Sequence, residues 1–100
     1  MTPHHTLPAE FNIYGVSEQH ALLLACLDGL DSDTLTLAGG DVAEVDTSAM
    51  QLLVALAHEC RARGLALRLL QPAAALSGAM AALGLGAFFD EAARPAGAAS

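Results

Sequence analysis

The sequence predicts a single α/β domain with a central mixed β-sheet flanked by helices. Three observations carry that expectation. Short extended runs alternate with amphipathic runs at helical spacing, an order that builds a mixed or parallel sheet covered by helices. Hydrophobic residues make up 54% of the 100 residues and charged residues 15%, enough for one core and too apolar for a disordered chain. Gly, Pro, Asp and Ser punctuate the runs at short intervals.

Residues 1–6 are polar and are expected to form a flexible N-terminal tail, with the domain spanning 7–90. Leu7 to Tyr14 reads as an extended stretch interrupted by Pro8, with Phe11 and Ile13 alternating around Asn12. Ser17 is placed to cap a first helix, in which Leu22, Leu23, Cys26, Leu27 and Leu30 recur at helical spacing. Gly29 and Asp31-Ser32-Asp33 end it. Thr34 to Leu37 alternates polar and apolar, as a half-buried strand does. Gly39-Gly40-Asp41 is a turn, and Val42 to Val45 is short and extended. From Thr47 the period changes. Met50, Leu53, Val54, Ala57 and Cys60 share one stripe, and Gln51, His58, Glu59, Arg61 and Arg63 fall mostly off it. Gly64 ends this second helix, Leu65 to Leu70 is an apolar strand, and Gln71-Pro72 is a break. A third helix opens at Ser77 or a turn earlier, near Pro72. Leu76, Met80, Leu83 and Leu85 form its inward face, and Gly84 and Gly86 loosen its end before Phe88-Phe89. Residues 91–100 are expected to be a flexible C-terminal tail.

Charge and composition narrow the partners. Eleven acidic residues face four arginines and no lysine, for a net charge of −7. Nucleic acid and anionic lipid are poor partners for such a surface. A protein with a basic or mixed surface fits better. No apolar run of about 18 residues is present, so no direct membrane insertion is expected. The N-terminus lacks the basic and apolar regions of a secretion signal, so a cytoplasmic location is expected. Cys26 and Cys60 read as buried free thiols. His4-His5 is too small a set for a metal, which needs three or four converging ligands. His20 and His58 lie on helices without visible carboxylate or Cys partners. No phosphate-binding loop, dinucleotide-binding glycine motif or nucleophile–His–acid order occurs, so no enzyme, cofactor or metal is implied.

The sharpest local feature is Val45 to Leu53, VDTSAMQLL. A strand ends at Asp46 and a helix starts within two residues, and Asp46, Thr47 and Ser48 are all good capping types. The first N–H groups of a helix are unpaired and its dipole favours negative charge there. A phosphorylated hydroxyl, or a bound anion such as a nucleotide phosphate, gains from both effects. Capping alone also accounts for these residues.

The segment from Phe11 to Phe89 resembles the STAS domain of bacterial anti-sigma factor antagonists. The resemblance rests on Asp46-Thr47-Ser48-Ala49-Met50, which matches the family's Asp-Ser/Thr-x-Gly-Leu motif and is followed by Gln51-Leu52-Leu53. The helix end ECRARG, the strand LALRLL and the closing ALGLGAFF support it. Ala49 stands where the family has Gly, Met50 where it has Leu, and Ala38 and Asn12 where many members have acids. The resemblance implies a regulatory protein-binding module without catalytic activity, a phosphoprotein in partner switching. Thr47 is the implied phosphorylation site and Ser48 the secondary one, with Asp46 orienting the hydroxyl. Asp46, Thr47, Ser48, Ala49, Met50 and Gln51 are the implied partner-binding residues. The implied partner is an anti-sigma factor that is also a serine kinase. The alternative is a constitutive adaptor beside a chemotaxis histidine kinase or in an ABC transporter that moves phospholipid.

Overall fold

A computed structural model describes residues 2–94. Three strands form one sheet in the order β1 (His5–Thr6), β3 (Thr34–Ala38), β5 (Ala66–Leu70). A second ladder joins β2 (Glu10–Phe11) to β4 (Glu44–Val45). The N-terminal segment thus carries two ladders in turn. Its first half pairs with β3 and its second with β4, and Pro8, which has no N–H to donate, lies at the changeover.

Every pairing among the described residues is parallel, so of the mixed or parallel sheet that the strand–helix order implies, the parallel form is the one built. The reason is connectivity. Helix α1 (Val16–Asp28) returns the chain from β2 to β3, and α2 (Thr47–Ala62) returns it from β4 to β5. Each crossover restores the strand direction. The central strand is also more buried than its alternation suggests. Leu35, Thr36 and Leu37 are all buried, because both faces of β3 are covered.

The N-terminal tail is shorter than expected. His5 and Thr6 pair with Leu37 and Ala38, and the His4 and Leu7 amides donate to the Thr36 and Ala38 carbonyls at 2.8 and 2.9 Å. The Thr36 amide in turn donates to His4 Nδ1 at 3.0 Å, so a side chain completes the ladder. Backbone pairing of this kind needs no apolar side chains, which is why a polar stretch gave no signal.

Helix boundaries differ in two places. Ser17 does not cap α1. The chain turns tightly at Asn12–Gly15, closed by Gly15 N–H to the Asn12 carbonyl at 3.0 Å, and the helix starts at Val16 with Gly15 before it. Helix α3 (Ala74–Ala82) opens a turn before Ser77, the earlier of the two expected starts. The third helix also stops sooner than expected. The Leu85 and Gly84 amides bond back to the Met80 and Ala81 carbonyls at 2.8 and 3.1 Å, with Gly84 at φ 69. That double closure needs a left-handed residue, and the same arrangement at Gly64 ends α2. A separate helix α4 (Gly86–Ala92) follows, so Glu91 and Ala92 belong to the fold rather than to a tail. The rest of the expected tail from Pro95 lies outside the described residues.

One core joins these elements. Leu23 and Leu27 of α1, Leu53, Leu56 and Cys60 of α2, Leu35 and Leu37 of β3, Leu76 of α3 and Phe89 of α4 are all buried in it. Cys26 is half-buried and Cys60 buried, and burial pushes the Cys60 thiol up to about 11. Gly39 sits where α3 presses on the end of β3. A Cβ there lies 3.0 Å from Leu76 Cδ2 and 3.3 Å from Pro72 Cα. Gly39→Ala is therefore expected to destabilise the domain by about 1–3 kcal/mol in urea unfolding. An unchanged midpoint would mean that the Pro72 turn yields freely.

Candidate functional site

The site is built where β2 and β4 end and α1 and α2 begin. Asp46 caps α2, with Oδ1 accepting from the Ala49 amide at 2.9 Å. Its other oxygen, Oδ2, accepts from the Ile13 amide, also at 2.9 Å. One carboxylate thus holds the start of α2 and the loop before α1 together. These amides, Ala49 first and Ile13 second, hold the Asp46 carboxyl below the usual aspartate value of 3.8. Asp46 is engaged with backbone amides, whereas the resemblance implied a role toward the Thr47 hydroxyl.

Asn12 braces the same loop. Its Oδ1 accepts from the Tyr14 amide at 3.1 Å, and its Nδ2 donates to Glu44 Oε2 at 3.1 Å. An aspartate at this place would set two carboxylates against each other, so the amide suits a site that takes its acid from Glu44.

Thr47 is the first residue of α2 and is exposed. Among the described residues no hydrogen bond engages its side chain. Ser48 is half-buried, facing the α1 side. Gln51 is exposed one turn on. Ala49 and Met50 are buried. Ala49 belongs to the core, and Met50 forms the floor of a surface groove. The motif residues therefore divide, with Thr47, Ser48 and Gln51 reaching the surface and Ala49 and Met50 supporting it.

Two apolar grooves flank the exposed ridge of α2. One, of about 290 Å³, lies between Thr47, Met50, Val54 and His58 and the α3–α4 corner at Leu83 and Leu85. The other, of about 420 Å³, lies between Ser48, Gln51, Leu52 and Ala55 and the α1 side at Ile13 and His20. Gln51 and Ala55 border both. Along the ridge, positions 47 to 58 cover about three helical turns, roughly 16 Å. Tyr14 is 95% exposed, Ile13 62% and Leu83 50%. Leu83 lines the first groove and Ile13 the second, on opposite sides of the ridge, and Tyr14 follows Ile13 in the loop. Sequence reasoning missed Ile13, Tyr14, Ala55 and Leu83 as a surface, and placed His58 on one without a role. Periodicity assigned Ile13 to a strand and Leu83 to an inward face, and His58 was set aside because no partner was visible. Its ring meets Phe88 edge-on, 5.4 Å between centroids.

Among the described residues no three His, Cys, Asp or Glu side chains are grouped to hold a metal ion. No helix there is long and apolar enough to cross a membrane.

The structure is thus a small parallel α/β domain with an exposed hydroxyl at a helix start, between two apolar grooves. Comparison with known proteins gives its family. A family model described as "Mlab, STAS domain" matches residues 6–90, and the chain belongs to the STAS domain family. Domains of this family generally mediate protein–protein contacts and act as non-enzymatic modules of the anti-sigma factor antagonist kind. A search of curated proteins found no match.

Proposed function

We propose that this chain is a bacterial, cytoplasmic partner-switching module whose docking to a protein kinase is controlled by phosphorylation of Thr47, with Ser48 as the secondary acceptor. The observation that carries this reading is the Thr47 hydroxyl. It is exposed, free of hydrogen bonds among the described residues, and borders the apolar groove at Met50 and Leu83. Phosphate adds about −1.5 to −2 charges at neutral pH. Placed there, it keeps the favourable helix start of α2 while setting a large, hydrated charge at the mouth of a surface built for apolar contact.

A second reading is favoured by Asp46. Both of its oxygens are taken by the Ile13 and Ala49 amides, which leaves the turn fully ordered without phosphate. This suits a constitutive adaptor of a chemosensory complex or a phospholipid ABC transporter, docking through the same face.

The two readings separate with Thr47→Asp and Thr47→Ala, measured for affinity toward the partner encoded beside this gene, together with mass spectrometry of the protein from cells. The switch requires phosphate on Thr47 or Ser48, and at least a tenfold weaker complex for Thr47→Asp than for Thr47→Ala. Equal affinities and no phosphate under any growth condition would sink the switch and leave the adaptor.

A further inference from the structure

The charges of this molecule are distributed unevenly over its surface. All ion pairs among the described residues lie at the far end of α2 or beyond it. Arg63 pairs with Asp28 at 3.0 Å and Glu59 at 2.8 Å, and Arg94 pairs with Glu91 at 3.8 Å. Arg61 donates to the Glu91 carbonyl at 3.2 Å. Glu10, Glu18 and Glu44, before α1 and α2 or in the first turn of α1, are exposed, and among the described residues none has a cation within ion-pair distance, as is also true of Asp31, Asp33, Asp41 and Asp90 elsewhere.

Two of these acids face each other. Glu10 and Glu44 are direct partners in the β2–β4 ladder, so their side chains leave the same face of the sheet side by side. Like charges so placed destabilise a ladder. Among the described residues the Asn12 amide is the one side-chain donor to this pair, through Glu44, and Asn12 precedes the exposed Ile13 and Tyr14. The acidic pair is therefore joined to the apolar rim of the grooves by one residue.

We infer that the occupant of the two grooves is a segment of a partner protein that inserts apolar side chains beside Ala55 and carries Lys or Arg toward Glu10 and Glu44. This inference rests on the docking role proposed above and names the partner's chemistry. An anionic membrane is disfavoured by the same acids. A rim of this kind speeds association and rejects partners of like charge more than it adds affinity.

The test uses the full chain with a photoreactive benzoylphenylalanine in place of the exposed Ala55, irradiated in the cells it comes from, with the attached peptide sequenced. The expected product is a peptide of another protein with net positive charge. Its yield should fall about tenfold with Glu10→Lys plus Glu44→Lys, and also for the unreversed protein when lysate is irradiated at high salt, which screens exposed charges. An acidic or uncharged peptide, a lipid adduct, a second copy of this chain, or a yield indifferent to both charge reversal and salt would overturn the inference while leaving a docking face in place. No adduct from position 55 or from the same probe at Leu83 would remove the docking role itself, and the inference with it.

Discussion

Leu53→Ala is expected to destabilise the protein by about 2–5 kcal/mol, a large share of the roughly 5–15 kcal/mol that holds a domain together. Leu53 is fully buried and lies on the inward stripe of α2 with Met50, Leu56 and Cys60. That helix packs on α1 and β5 and also carries the proposed docking ridge on its exposed side. Removing Leu53 therefore leaves a cavity under the site. Urea unfolding should show a lower midpoint with an unchanged slope. Leu83→Ala, at a half-exposed rim position, should leave the midpoint nearly unmoved. Equal losses for the two would mean that Leu83 supports the core rather than a surface.

Asp46→Ala should be more damaging than the same change at Thr47, Ser48 or Gln51. It removes the acceptor for both the Ala49 and the Ile13 amides, so it frays the start of α2 and frees the loop that presents Ile13 and Tyr14. Asp46→Asn keeps one acceptor oxygen and should fall between Ala and the native residue. The pH dependence has a definite sign. The folded carboxyl lies below the ordinary 3.8, so its contribution is fully present above that value and disappears as pH falls through the lowered one. Thermal unfolding should rank native, Asn and Ala at neutral pH. The gap between native and Asn should narrow at a pH well below 3.8. A gap that persists unchanged in acid would show that Asp46 acts through its shape and not its charge.

Much of the fold was legible because it is written in local pattern. The stripe of α2, its start at Asp46 and the strand ending at Leu70 all follow from spacing and capping chemistry, and the structure places them within a residue. The misses were of another kind. Gly84 looked like a loosened end but carries a complete helix closure, which turned one expected helix into α3 and α4. His4–Thr6 looked like a tail because its attachment uses backbone groups and one imidazole nitrogen. Thr36 looked exposed by alternation and is buried because a second layer covers β3.

The same division runs through the site. By itself the sequence determined that a hydroxyl would stand at the head of an amphipathic helix, since Asp46, Thr47 and Ser48 can only begin α2 there. What surrounds that hydroxyl was decided by tertiary structure. Ile13 meets Asp46 across 33 positions, Asn12 meets Glu44 across 32, and the corner at Leu83 closes the far groove. Parallel pairing of β2 with β4 brings the first two pairs together, and no periodicity within a segment reports the register in which another segment will pair with it.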